Sequence, residues 1–206
     1  MDWGAGRYAQ ALARHQQSWS SAGSWATAPG KSRACSTSAW SPRRRGRYDQ
    51  SVAHNRRGLA IAEELGDRRG QANSLANLGV VYQRQGRYQE ALACLHDSLA
   101  IYRELGDRQG QANSLHDLGI AYQRQARFEQ ALTCLWESLA LRRELGDSRG
   151  EAESLRELGG ALRALGRLEE TRAHWLEALA IFELLQATEA DQVRAVVADL
   201  PTSPPR

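Results

Sequence analysis

His54, Cys94, Cys134 and His174 lie at intervals of 40 residues, and two histidines with two cysteines make a donor set for zinc. Zinc draws its four ligands to within about 2.0–2.3 Å of one point. Groups spaced that evenly meet only if the chain returns to the same place each time. Gly30-Lys31-Ser32 resembles the end of a phosphate-cradling loop. That loop needs a preceding strand and a glycine five residues before Gly30, where Trp25 stands. No nucleophile–base pair and no pair of carboxylates in a cleft stands out, so no catalytic residue is assigned and no enzyme is expected. The basic cluster Arg43-Arg44-Arg45 with Arg47 lacks interleaved aromatics, so direct nucleic-acid binding is not expected.

The remaining candidates are polar groups at recurring positions. Asn73, Asn77, Gln83 and Arg84 are followed one interval later by Asn113, Asp117, Gln123 and Arg124, with His116 among them. A further interval brings Glu153, Arg156, Glu157 and Arg163. Asn and Gln both donate and accept, so a ladder of them can hold an extended peptide backbone without reading its sequence. Arg84 and Arg124 suit an acidic side chain or a terminal carboxylate.

The interval is set by the elements beneath. A block of 40 residues recurs over 66–105, 106–145 and 146–185, the mark of a stacked array whose units bury their apolar faces on one another. Within a block, Leu75, Leu78 and Tyr82, then Leu92, Leu95, Leu99 and Tyr102, follow helical spacing. The spacing predicts one helix over about 69–85 and a second over about 88–105. Gly86 and Gly106 sit where left-handed caps favour glycine, and Asp107 can accept the free amides of the next helix. No strand signal appears. Gly79, Gly119 and Gly159 fall mid-helix, where Gly costs about 1 kcal/mol relative to Ala, which implies close crossing by the second helix. Equivalent positions on successive packed helices stand too far apart to converge on one ion, so no metal or cofactor is expected.

The recurring apolar residue at Leu75, Leu78-Gly79, Tyr82, the small Ala91, Leu95 and Ser98, repeated at Leu115, Leu118-Gly119, Tyr122, Ala131, Leu135 and Ser138, resembles the tetratricopeptide repeat (TPR) pattern. The resemblance covers about residues 46–185. It implies an all-α fold, a right-handed TPR-like solenoid of antiparallel helix pairs, in which the first helix of each pair lines a concave groove. It further implies a non-catalytic module that binds a protein or peptide there, either free-standing or as a C-terminal sensor array of a larger bacterial regulator. In the third block Leu162 replaces the Tyr and Thr171 the Ala, which implies looser packing. Thr188 with Asp191 resembles a capping box, and Val193, Val196, Val197 and Leu200 form an apolar stripe. A terminal covering helix is therefore expected over 188–200, followed by a disordered tail over 201–206.

Upstream, Gly46-Arg47-Tyr48 and Gly6-Arg7-Tyr8 repeat Gly86-Arg87-Tyr88 at one and two intervals. Residues 46–65 therefore read as a half repeat and 1–17 as a remnant helix. Residues 18–45, rich in Ser and carrying Trp19, Trp25 and Trp40, do not obey the pattern although the register persists across them. Codons for Gly23 to Ala28 can be chosen so that a shifted frame spells the Glu104-Leu105-Gly106-Asp107-Arg108 junction. Codons for Cys35 to Ser41 can likewise spell the Asn77-Leu78-Gly79-Val80-Val81 run. The expectation is a repeat segment translated out of frame, irregular as protein, which the coding DNA over codons 17 to 46 tests. Val52, Leu59 and Ile61 would then form an uncovered apolar face.

The chain has 206 residues, 42% of them hydrophobic and 25% charged, with net charge +3. Of its 27 basic residues all but Lys31 are Arg. No apolar run reaches the length of a membrane span and no signal stretch opens the chain. With three Cys, these features predict a cytoplasmic protein without a membrane partner.

Overall fold

A computed structural model describes residues 42–201, with eight helices, no strand and 85% helix among them. The helices are α1 (Pro42–Glu64), α2 (Arg68–Arg84), α3 (Tyr88–Glu104), α4 (Arg108–Arg124), α5 (Phe128–Leu145), α6 (Ser148–Ala164), α7 (Leu168–Leu184) and α8 (Glu189–Ala198). The remnant helix at 1–17, the out-of-frame segment up to residue 41 and the tail from 202 lie outside the described residues. α1 begins at Pro42 rather than at Gly46. A proline in the first turn sacrifices no helical hydrogen bond and arrives with its φ already set.

Each helix starts and stops by local chemistry. Asp67, Asp107 and Asp147 each accept from the amide of the glycine three residues on, at 2.9 Å, which satisfies one of the free donors of the first turn. Left-handed residues end the helices. Most are glycines, such as Gly86 at φ 76°, but Ala126 adopts φ 58° and Gln186 φ 50° at corresponding places. The expected capping box at α8 is not formed. Thr188 is itself helical, at φ −63° and ψ −20°, and its hydroxyl donates to Glu189 instead. A cap needs an extended backbone before the first turn, so a Thr already inside the helical geometry cannot serve.

Every helix packs on its neighbours in the chain, and direct approaches between next-nearest helices run from α2 to α4 and from α4 to α6. The row α2, α4, α6 therefore sits on the inner side of the curve, with α3, α5 and α7 outside. At the crossings, a Cβ added to Gly79 or Gly119 would lie 2.5 Å from Leu95 or Leu135, and one added to Gly159 would lie 2.2 Å from Trp175. Close approach is what these mid-helix glycines provide. Buried hydroxyls tie the layers together. Ser98 donates to the Ala72 carbonyl at 2.9 Å and meets Ser114 at 3.2 Å, and Ser138 does the same with Ala112 and Ser154.

The third block is not loose. Thr171 is fully buried, its hydroxyl donating to the Arg167 carbonyl, and Leu162 is buried in the core with Leu158, Ala161 and Trp175. Trp175 occupies the place of Leu95 and Leu135, is 4% exposed, and donates to the Arg156 carbonyl at 2.9 Å. The larger indole restores the volume lost when Leu162 replaced a tyrosine. Nor are Val52 and Leu59 uncovered. Both are half-buried against Leu78, Tyr82 and Ala91, and Ile61 is half-buried as well. Val193 and Leu200 of the terminal segment are buried in the core with Phe182 and Ala178, and Val196 and Val197 pack beside them.

Candidate groove on the inner helices

The sequence candidates fall along the inner row, and the structure gives them unequal duties. Asn73 is exposed, and its Oδ1 accepts from the Tyr102 hydroxyl at 2.6 Å. Asn77 is half-buried and makes no side-chain hydrogen bond among the described residues. Gln83 Nε2 donates to the Asp117 carbonyl at 2.6 Å, and Gln123 Nε2 donates to the Glu157 carbonyl at 3.1 Å. These two glutamines therefore bolt successive inner helices together, each keeping its oxygen and one amide hydrogen for a ligand. Asn113 faces Arg142, with 3.5 Å between its Oδ1 and Nη2.

The glutamine bonds tie each rung to the next, and Arg84 lies close enough to Asp117 for their charges to interact. Arg84 follows Gln83, which holds the Asp117 backbone. Arg124 follows Gln123, which holds Glu157. Both arginines are exposed, and among the described residues neither makes an ion pair or a hydrogen bond. Most arginines elsewhere are engaged: Arg68 with Glu104, Arg103 with Glu137 at 3.2 Å, Arg108 with Glu144, Arg143 with Glu177 at 2.5 Å and Arg149 with Glu189 at 2.5 Å. Arg156 is bound to Glu157 at 2.8 Å, and Arg163 lies over the Trp175 ring at 5.8 Å. A cavity of about 220 Å³, lined by Arg156, Glu157, Trp175, Gln192, Val193 and Val196, opens where α6, α7 and α8 meet.

Between the second and third pairs the groove floor carries a cluster that spacing did not announce. Arg142 stands where the equivalent residues are Tyr102 and Phe182, and it is only 4% exposed. It donates to the Gly150 carbonyl and lies 3.6 Å from Glu153, while its Nε has no partner. His116, expected to face outward, is 8% exposed with its Nδ1 unpartnered. Burial, and then the charges of Arg142 and Arg156, push its pKa down to about 3, so the ring is neutral. Asp117 is half-buried, and its carboxylate has no hydrogen bond or ion pair among the described residues. Burial pushes its pKa up to about 7 against the opposing pull of Arg142 and Arg84. The replacement of an aromatic by Arg142 is the one trace of this cluster in the sequence.

His174 rests edge-on against Trp136 at 5.1 Å, while Cys94 and Cys134 are half-buried free thiols. Among the described residues no group of three metal-ligating side chains converges, and no helix is long and apolar enough to cross a membrane.

The comparisons with known proteins agree with this architecture. Sequence models described as tetratricopeptide repeat match residues 41–104, 70–144 and 152–185. No curated protein sequence matches the chain. Among solved structures, BtubC (BKLC) from P. vanneervenii is similar at TM-score 0.61 and 20% identity, over 80% of this chain and 63% of that one. A Rap protein complexed with competence and sporulation factor gives TM-score 0.66 and 19% identity, over 75% and 43%. A kinesin light chain-like protein of Podosopora anserina with nearly identical TPR-like repeats gives 0.59 and 22%, over 76% and 85%. The chain thus spans less than two thirds of the length of the first two, and the likeness to all three is one of fold.

Proposed function

The chain belongs to the tetratricopeptide repeat family, and from that premise we propose that it is a non-catalytic module holding an extended acidic peptide, or an acidic segment of a partner protein, along α2, α4 and α6. The observation that carries this is the pair Arg84 and Arg124, exposed and unengaged in a chain whose other repeat arginines are mostly paired. An arginine without a carboxylate retains its full capacity for a charge-assisted, two-pronged bond. Asn77 and the free oxygens of Gln83 and Gln123 supply backbone contacts between the two charges. The similarity to a Rap protein complexed with competence and sporulation factor supports peptide binding on this kind of scaffold.

The test is an array of ten-residue peptides carrying Glu at varied spacings, with Lys counterparts, probed with the whole chain. Acidic members are expected to bind, and Arg84→Glu together with Arg124→Glu is expected to abolish binding while the helical melt stays unchanged. Equal capture of Lys peptides, or binding indifferent to the charge reversals, would sink the reading. A second reading places the array within a larger regulator, since the chain spans 43% of the Rap structure it resembles. Coding sequence upstream, read in the shifted frame, decides that question.

A further inference from the structure

Positions 77, 117 and 157 are one rung each along the inner row, and they differ in a way that the packing does not require. Asn77 carries no charge, and Glu157 is neutralised by Arg156 at 2.8 Å. Asp117, between them, is an acid without an ion pair or hydrogen bond. The bond from Gln83 to the Asp117 carbonyl, at 2.6 Å, sets this acid beside Arg84, the first of the two unengaged arginines. Other charges near it are already committed. From α5 comes Arg142, held by the Gly150 carbonyl and by Glu153. From α6 comes Glu153 itself, shared between Arg142 and Arg149. The outer helix α3 meets α4 through uncharged Leu95, Leu99 and Ser98, and through His96, whose Nε2 is committed to the Tyr122 hydroxyl at 2.9 Å. Within α4, His116 is neutral. Among the described residues, Arg84 is thus the uncommitted countercharge that acts on Asp117.

We propose that Asp117 is a proton-linked gate on the groove: ionised, it holds Arg84 by charge and repels an acidic ligand, and protonated, it releases Arg84 to the ligand and offers it an O–H donor. The inference rests on the acidic-ligand reading given above and adds its regulation. Burial pushes the Asp117 carboxyl up to about 7, so the two states exchange near neutrality rather than at acid pH. A ligand carboxylate arriving at Arg84 takes away the countercharge that favours ionised Asp117, which drives proton uptake on binding. Only the protonated fraction is competent, and apparent affinity scales with that fraction. Between pH 8 and pH 6 the competent fraction changes about tenfold, and so does the affinity.

Two measurements on the whole chain decide the matter. Carbon-13 NMR of the aspartate carboxyl carbons is expected to show one resonance, lost in Asp117→Asn, that titrates near neutrality and shifts to still higher pH in Arg84→Ala. Titration near the ordinary aspartate value, or indifference to Arg84→Ala, overturns the gate whatever a peptide does. The second measurement is the affinity for the tightest acidic peptide of the array at pH 6 and pH 8. An increase of about tenfold at pH 6 is expected, with Asp117→Asn binding at both pH values as tightly as the unaltered chain does at pH 6. Binding that ignores pH overturns the gate and leaves the groove standing. No acidic peptide bound at either pH removes the groove reading and the gate together.

Discussion

Ala126 is forced into a conformation its side chain resists. It holds φ 58° at the end of α4, where the equivalent residue after α2 is Gly86 at φ 76°. A left-handed non-glycine residue costs about 1–2 kcal/mol, and replacing it by Gly returns about 0.4–1 kcal/mol to the unfolded chain as entropy. The native-state relief wins. Ala126→Gly is expected to stabilise the protein by about 0.5–1 kcal/mol, read as a higher urea midpoint at unchanged slope. A lower midpoint would mean that the Ala126 methyl makes packing contacts worth more than the strain. Side-chain capacity at this scale also separates the groove residues. Gln83 and Gln123 look interchangeable with Asn77 in sequence, yet each has committed one amide hydrogen to a carbonyl of the next inner helix.

Within α4, two adjacent residues pull the pH dependence of stability in opposite directions. Asp117 is raised from 3.8 to about 7, so between those values the native state binds more protons than the unfolded chain. Its contribution to stability is therefore full at acid pH and is lost as pH rises from about 4 to 7. His116 is lowered from 6.5 to about 3, so the unfolded chain binds more protons there, and its contribution is lost as pH falls from about 6.5 to 3. The two windows overlap and largely offset one another. Measured as a difference from the unaltered chain, His116→Asn is expected to gain relative stability as pH falls from 6.5 to 4. Asp117→Asn is expected to lose relative stability over the same range. Parallel profiles for both variants and the unaltered chain would show that neither group is perturbed. This balance was not legible in sequence, because it depends chiefly on burial of both groups by the packed array, and then on charges such as Arg142 arriving from α5. The helix starts at Asp67, Asp107 and Asp147 and the crossings at Gly79, Gly119 and Gly159 were legible, since local chemistry and a repeated cost mark them. The missing cap at Thr188 and the compensation of Leu162 by Trp175 were not, because a docked neighbour sets both.

Across the whole array, each pair of helices is held chiefly by the next. Beyond nearest neighbours, α2 approaches α4 and α4 approaches α6 closely, while side-chain ion pairs reach from α3 to α5 and from α5 to α7. The ion pairs that bridge successive pairs, such as Arg103 with Glu137 and Arg143 with Glu177, are about half exposed, and exposed pairs contribute about 0–1 kcal/mol each. Cohesion therefore comes from the apolar layers, and coupling between distant helices passes through the intervening ones. In such a one-dimensional array, damage at one end loosens that end first. Val193 on α8 is 1% exposed and packs in one core with Phe182, Ala178 and Trp175. Val193→Asp buries a carboxyl there without a partner, at a cost of about 2–5 kcal/mol. Amide hydrogen exchange is expected to show α7 and α8 losing protection while α2 and α3 keep theirs. Arg84 and the Asp117 bond to Gln83 lie in the retained part, so an acidic peptide engaging Arg84 is expected to remain bound, with its contacts near α6 weakened. Uniform loss of protection from α1 to α8 would instead show one cooperative unit, in which the layers of stacked leucines and hydroxyls transmit the defect undiminished.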